Sequence, residues 1–496
     1  MAKSQRPVNR HKRSDWIIEA LAMRLAQRKG STLSRTLYGA LRELIQSGEL
    51  APGSALPSSR RLARALRVGR NTALAALDRL VAEGFVHARS GAGLFVVELS
   101  MPAADTPLSA ERGATALSQR GSALLDDCTT LNITHRAFAP GVPALDLFPR
   151  EQWQRLLRRH RQRAPEQWLA YRSEGGVAAL KAALCDYLRL SRSVRCTPAQ
   201  ILITQGAQQG FELIARLLAD PGDCAWIEEP GYGGARAALA AAGLTLAPVP
   251  VDGEGIDPQR APSGASPQLV YVTPSHQYPC GVTLSMTRRL ALIETVERSG
   301  GWIIEDDYDS EFRYASPPLA ALQGLSEEAR VIYVGTFSKV LYPGLRLGYL
   351  VLPEGLVDPF RRANARLHRE GQYVVQSALA EFIDAGHFSR HVARMRRAYR
   401  ARQTALREAL APATAKGLAL SEGHAGMHLL AGLAGIEQER ALVESAREAG
   451  IELSPLSHYF LGGAAEPGLV LGYAGSPEAE IARAGEWLAK AWLRSG

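Results

Sequence analysis

Between Leu131 and Gly496, short apolar runs alternate with longer stretches of helical period. The runs are ILIT (201–204), CAWIEEP (224–230), QLVYVTP (268–274), WIIEDDY (302–308), VIYVGTF (331–337) and LGYLVLP (347–353). Continuous apolar strands separated by helices predict a largely parallel sheet covered on both faces. The expected body is therefore α/β over residues 131–496, with a smaller α+β cap over about 395–496. Composition permits a core of that size, with 46% hydrophobic and 22% charged residues, an ordinary globular balance. No apolar run approaches the roughly 18 residues of a membrane span. The basic start MAKSQRPVNRHKRSDW lacks the apolar centre of a secretory signal. Five scattered cysteines (Cys128, Cys185, Cys196, Cys224, Cys280), none in CxxC spacing, are expected as free thiols in a reducing cytoplasm. The histidines are dispersed, and no metal site is expected.

Charge is distributed unevenly. Residues 1–100 hold 17 Lys+Arg against 7 Asp+Glu, which leaves 41 against 42 in the rest. The whole net charge of +9 thus sits in the first fifth of the chain. Such asymmetry points to a nucleic-acid-binding segment joined to a neutral body. After a basic lead-in (1–32), with a short helix possible from Asp15 to Gln27, three helices are expected. In the first, Leu37, Leu41, Leu44 and Ile45 share a face. In the second, Leu62 and Leu66 turn inward, Arg60, Arg61, Arg64 and Arg67 turn outward, and Ser58 or Ser59 caps. The third runs from Arg70 to about Glu83 with Leu74, Leu77 and Leu80 inside. GFVHARSGAGLFVVE then reads as two strands around a glycine turn. The sum over residues 33–97 is a winged helix-turn-helix, whose third helix enters the major groove of double-stranded DNA. Residues 98–130, rich in Ala, Ser, Pro and Gly, are expected as a linker, flexible or partly helical.

The string LPSSRRLARALRVGRNTALAALDRLVAEGFVHARSGAGLFV resembles the DNA-binding domain of the GntR family over about 65 residues. The resemblance implies that Arg60 contacts backbone or bases and that Arg70, Asn71 and Thr72 reach base edges or phosphates. It also implies that Gly91, at the wing tip, allows close approach to the minor groove. The chemistry agrees: arginine pairs with guanine, asparagine with adenine, and hydroxyls take phosphates.

In the body, GTFSKVLYPGLRLGY presents Lys339, with Arg346 seven residues on. WIIEDDYDSEFRY ends a strand in Asp306, Asp307 and Tyr308, at the kind of sheet edge where α/β folds bind ligands. ILITQGAQQGFELIARLL is a strand, a glycine turn and a helix start, an anion site of backbone N–H groups. An amine, a carboxylate, a phosphate cradle and a second cation are the parts that hold pyridoxal 5′-phosphate.

The body resembles the fold-type-I aminotransferases over about 360 residues, and the whole chain resembles the MocR-type regulators of the GntR family. By that resemblance Lys339 forms a Schiff base with pyridoxal 5′-phosphate, Asp306 partners the pyridine nitrogen, and Tyr308 donates to the ring hydroxyl. Ala207, Gln208, Thr336, Ser338 and Arg346 match the phosphate-binding set, and Tyr232 the ring that stacks on the cofactor. Tyr171, in YRSEGG, matches a tyrosine lent to the partner's phosphate site, which implies a homodimer. Two departures stand out. PSHQYPCG has Tyr278 where the enzymes carry an asparagine, leaving His276 or Gln277 to take its role; this string is typical of MocR-type chains. PGLVLGYAGSPE (467–478) offers Val470 and Leu471 but no arginine for a substrate carboxylate, with Arg394 or Arg397 as alternatives.

The expected function is that of a cytoplasmic, DNA-binding transcription regulator. Its body binds pyridoxal 5′-phosphate and senses that cofactor or an amino-compound effector; the rival expectation is an active aminotransferase with an autoregulatory DNA arm.

Overall fold

The computed structural model describes residues 12–27, 32–98, 117–126, 136–314, 319–326, 329–462 and 465–495. The chain divides into two compact units, residues 1–115 and 116–496.

The first unit contains α1 (Lys12–Gln27), α2 (Leu33–Gln46), α3 (Ser59–Leu66), α4 (Arg70–Ala82), β1 (Val86–Arg89) and β2 (Gly93–Val96). Its core joins Leu37, Leu41 and Leu44 of α2 to Leu62, Ala73, Ala76, Leu77, Leu80, Val86 and Val96. Burying a leucine fully contributes about 1.5–3 kcal/mol, so even this small core can hold three helices and a hairpin. Ser58 is the cap of α3, its hydroxyl accepting from Arg61 N at 3.3 Å. Arg67 ends that helix in the left-handed region (φ 53°). β1 and β2 pair antiparallel from Val86–Val96 to Arg89–Gly93, and Gly91 turns the wing at φ 70°.

Two details of this unit differ from the sequence expectation. The core begins before residue 33, because α1 contributes Ile17, Ala20 and Leu21 to it. Spaced three and four apart, these residues form one apolar face, which the surrounding basic residues obscure. Leu74 is exposed while Ala73 and Ala76 are buried, so the inner face of α4 is rotated by one residue. Small side chains let α4 approach α2 and α3 closely.

Of the expected linker, residues 99–116 and 127–130 lie outside the described residues. Between them α5 (Gln119–Asp126) is helical. It belongs to the second unit.

That unit continues with α6 (Arg150–Gln162), α7 (Ala178–Arg192), β3 (Ile201–Thr204), α8 (Ala207–Leu218), β4 (Cys224–Glu229), α9 (Gly233–Ala242), β5 (Thr245–Asp252) and β6 (Gly255–Ile256). Next come β7 (Leu269–Val272), α10 (Met286–Ser299), β8 (Trp302–Asp307), β9 (Val331–Thr336), β10 (Gly348–Val351), α11 (Glu354–Leu367), α12 (Tyr373–Asp384) and α13 (His387–Thr414). The chain closes with β11 (His428–Gly432), α14 (Ile436–Glu448), β12 (Ser454–Pro455), β13 (Gly468–Gly472) and α15 (Glu478–Ser495). α5 packs on α9.

The large sheet runs β3-β10-β9-β8-β7-β4-β5-β6. Pairing is parallel from β9 through β5, while β10 is antiparallel to both neighbours. Both faces are covered. Leu202, Ile304, Ile332, Val334 and Leu350 pack with α8, α9 and α11. The alternate residues Ile201, Ile203, Tyr333, Tyr349 and Val351 pack with α7, α12 and α13.

The small sheet is antiparallel, in the order β11-β13-β12. Phe138 bridges to Gly472, so the start of the body lines up beside its end. α13 runs unbroken through residue 395, the expected boundary of the cap. Strand register fixes which side chains share a face: His428 pairs with Gly472, Leu430 with Val470, and Ser454 with Val470. His428, Leu430, Ser454 and Val470 therefore look one way. Leu429, Leu469 and Leu471 look the other, into the core with α13 and α15.

Candidate functional site

β8 ends in a run of buried carboxylates. Tyr271, on the neighbouring strand β7, donates its hydroxyl to Asp306 Oδ2 at 2.6 Å. Asp306 Oδ1 is buried with no hydrogen-bond partner among the described residues. Burial pushes the Asp306 carboxyl up to about 7, against the Tyr271 hydrogen bond. Asp307 uses one oxygen, Oδ2, and its Oδ1 is likewise buried without a partner among the described residues. Asp307 Oδ2 takes Arg192 Nε at 2.7 Å and the Tyr333 hydroxyl, an arrangement that anchors the end of β8 from behind.

Lys339 follows β9. Its Nζ donates to Gly141 O at 2.9 Å, and a Cβ at Gly141 would lie 2.7 Å from Nζ. Desolvation lowers the Lys339 pKa, while Asp309 and Asp306 act in the opposite direction. A lysine held in this way reaches its neutral, nucleophilic form more readily than a solvated one.

Gly206 caps α8 at φ 98°, leaving the N–H groups of Ala207 and Gln208 at an uncapped helix start. A Cβ at Gly206 would sit 3.7 Å from Arg346 Nη1, so the guanidinium lies over that helix end. Gly348 packs so tightly against Gly206 that a Cβ there would be 2.8 Å from its carbonyl carbon. On the next strand Thr336 Oγ1 donates to Ser338 Oγ at 3.1 Å. Free N–H groups, a helix dipole, hydroxyls and a guanidinium make an anion cradle. The Gln208 side chain is used elsewhere, donating to Gly234 O at 2.7 Å.

The opposite wall is aromatic. The Tyr308 hydroxyl and His276 Nδ1 are 2.9 Å apart, and the same nitrogen lies 3.0 Å from Asp309 Oδ2. Tyr278 is packed edge-on by Tyr232, Tyr308 and Tyr459, with ring centroids 5.8, 5.6 and 5.4 Å away. Gln277 is fully engaged, its amide nitrogen donating to Glu228, Pro230 O and Tyr278 O. Of the two candidates beside Tyr278, His276 is therefore the one on the Tyr308 hydroxyl.

Lys339, Asp306, Tyr308, Tyr232, His276, Ala207, Gln208, Thr336, Ser338 and Arg346 thus gather at one sheet edge. Tyr171 does not join them. It is 83% exposed, with the Arg369 guanidinium 4.9 Å from its ring centroid. Arg394 and Arg397 are exposed on α13. Val470 lies on the face of β13 that carries His428, whereas Leu471 points into the core. Tyr271, Asp309 and Gly141 were not foreseen. Tyr271 alternates like any buried strand residue, and Gly141 lies 198 residues from its partner.

The residues fit pyridoxal 5′-phosphate. Asp306 Oδ1 lacks a donor that a protonated pyridine nitrogen would supply, and the Gly206–Gln208 turn with Arg346 has the chemistry of a phosphate cradle. When bound, the cofactor supplies a reactive carbonyl carbon and an electron sink. Among the described residues no cluster of metal-ligating side chains occurs. Cys185, Cys196, Cys224 and Cys280 are free thiols, although Cys185 and Cys196 approach to 3.8 Å between sulfurs.

In the first unit Arg60, Arg70, Asn71 and Gly91 are exposed, and Thr72 is half-buried. α4 begins at Arg70 after Gly69, which offers no capping side chain. The first-turn N–H groups and the side chains of Arg70, Asn71 and Thr72 therefore lie at one helix end, as a groove-reading helix requires, while Arg60 is on α3 and Gly91 is in the wing turn. No described helix is long and apolar enough to cross a membrane.

Known proteins share both units. Residues 33–96 match the model of bacterial regulatory proteins of the gntR family, and residues 144–486 match that of aminotransferase class I and II. The chain is 41% identical to the probable rhizopine catabolism regulatory protein MocR of Rhizobium meliloti, over 89% of this chain and 90% of that protein. It is 30% identical to the pyridoxine biosynthesis transcriptional regulator PdxR of Corynebacterium glutamicum, over 92% and 95%. Among solved structures, LysN, the α-aminoadipate aminotransferase of Thermus thermophilus, matches with TM-score 0.65 and 29% identity, over 76% of this chain and 95% of that one. The kynurenine aminotransferase of Pyrococcus horikoshii matches with TM-score 0.65 and 26% identity, over 77% and 95%. A gntR-type reader and a class I and II aminotransferase body, joined in one chain and shared along nearly its full length with such regulators, place this chain among the MocR-type transcription regulators of the GntR family.

Proposed function

We propose that this regulator binds pyridoxal 5′-phosphate covalently through Lys339 and that its DNA affinity responds to the state of that site. The observation that carries the reading is Asp306 Oδ1. It is a buried acceptor without a donor, on the same sheet edge as a desolvated lysine and an anion cradle. Burying such an atom unpaired costs about 1–3 kcal/mol, which a protonated ring nitrogen would offset. The solved aminotransferase LysN was complexed with a phosphopyridoxyl compound, and the PdxR relative is named for pyridoxine biosynthesis. In this reading Tyr308 and His276 hold the ring hydroxyl and Tyr232 lies against the ring. Ala207, Gln208, Thr336, Ser338 and Arg346 take the phosphate. Exposed Tyr171 serves the partner subunit of a cytoplasmic homodimer. Ligand binding then shifts an equilibrium between arrangements of the DNA modules.

The test is to find the DNA region bound beside the gene and to measure affinity with and without the cofactor. Unchanged affinity would refute the coupling. Binding is expected to weaken steeply with salt, since phosphates neutralised by basic groups release counterions. Arg70→Ala or Asn71→Ala is expected to cost about 1–3 kcal/mol and to relax sequence preference. Titrations on the specific site and on a scrambled site, at one salt concentration, check this.

A further inference from the structure

We infer that the amine recognised beside Lys339 carries no carboxylate: the site selects a primary amine whose body is uncharged. The inference rests on the reading that Lys339 holds the cofactor, and it concerns the wall that the incoming molecule must face.

That wall is built from the site-facing side of the small sheet. Val470 is fully buried yet belongs to none of the large apolar clusters. Its face carries His428 and Ser454. Ser454 Oγ lies 3.0 Å from the Tyr459 hydroxyl, which lies 3.1 Å from the Tyr278 hydroxyl. The His428 and His276 rings are 5.4 Å apart, and His428 Nε2 is tied to Pro279 O at 2.8 Å. This wall adjoins the lysine. Gly472 N donates to Phe138 O at 2.9 Å, and three residues later Gly141 O receives Lys339 Nζ.

Among the described residues of this chain, the wall has hydrogen-bonding capacity but little positive charge. Burial, aided by the neighbouring His276 and Lys339, pushes His428 down to about 3, so it is neutral near pH 7. The arginines touching the same segments are turned to backbone carbonyls: Arg236 to His458 O and Tyr459 O, Arg313 to Ser275 O. A carboxylate pressed against a valine, a neutral imidazole and phenols would be desolvated without a fixed cation, which is strongly unfavourable. A hydroxyl in the same place finds phenol and imidazole partners. The exchange itself is redox-neutral. The incoming nitrogen forms a bond to the cofactor carbon, the bond from that carbon to Lys339 breaks, and the proton of the incoming amine ends on Lys339 Nζ.

L-Alanine and L-alaninol differ only in a carboxylate against a hydroxymethyl group. The full-length, cofactor-loaded protein is titrated with each, reduced with borohydride, and analysed by mass for cofactor remaining on Lys339. L-Alaninol is expected to release half of the lysine at a concentration at least tenfold lower than L-alanine. Equal or better release by L-alanine, or release by neither, overturns the inference while leaving the cofactor reading intact. No cofactor on Lys339 before any amine is added overturns the reading itself and the inference with it. In Val470→Arg, checked for folding by its thermal transition, the ratio is expected to shift at least tenfold towards L-alanine. A folded variant with an unchanged ratio overturns the role given to Val470. If that variant does not fold, the wild-type ratio still decides.

Discussion

Lys339→Ala is expected to leave no cofactor attached to the chain after borohydride reduction, whereas the wild-type protein is expected to be yellow and to retain it. The effect is all or none because only a primary amine can bond the cofactor carbon. Among the described residues, Lys339 is the one lysine placed beside Asp306 and the anion cradle. The chain has seven lysines, at 3, 12, 29, 181, 339, 416 and 490, so peptide mapping of the reduced protein identifies the modified residue directly. Reducible cofactor persisting in Lys339→Ala, or mapping to another lysine, would sink the assignment. The variant is expected to fold, since it removes an amine whose hydrogen bond is to a single carbonyl.

Asp306→Asn is expected to weaken cofactor binding by about 3–5 kcal/mol, roughly a hundredfold to several thousandfold, the usual cost of removing one partner of a buried ion pair. Equilibrium dialysis at fixed pH measures it. The same variant carries a second signature in the cofactor-free protein. The Asp306 carboxyl titrates near 7 when folded and near 4 when unfolded. Between those values the folded chain binds the extra proton. The contribution of this group to stability is therefore fully present below about pH 4 and lost as pH rises through about 7. Asparagine does not titrate, so the stability of wild type relative to Asp306→Asn is expected to fall across that window. Urea unfolding at several pH values checks it, and a flat difference would show that Asp306 is ionised throughout. Cofactor binding should reverse the trend, because a protonated ring favours the carboxylate.

These residues were legible in the sequence because each sits where a local pattern ends. Lys339 follows an apolar strand, Asp306 closes one, and Ala207 opens a helix after a glycine. Strand, turn and helix start are written in adjacent letters, and the chemistry is carried at the junction. The reader unit was legible for the same reason, through Ser58, the Arg70–Thr72 start and the wing glycines. What escaped was set by partners distant in sequence. Tyr271 reaches Asp306 only because β7 and β8 are neighbours. Ile17 and Leu21 look incidental until α2 and α3 cover them. The choice between His276 and Gln277 needed Glu228 and Pro230, which occupy the glutamine. Val470 and Leu471 are equivalent as letters, and only the register of β13 assigns one to each face.

The bond from Lys339 to Gly141 has a further meaning. A lysine ammonium carries three protons and can hold a carbonyl with one of them. Were its nitrogen bonded to a cofactor carbon, at most one proton would remain on it. The Gly141 carbonyl would then lose that partner, on a segment whose Phe138 bridges to Gly472 at the end of β13. On the proposed reading, adding or removing the cofactor would change a hydrogen-bonded link between the two sheets, and an amine that frees the lysine would restore it. The small sheet would register occupancy of the lysine through a single hydrogen bond.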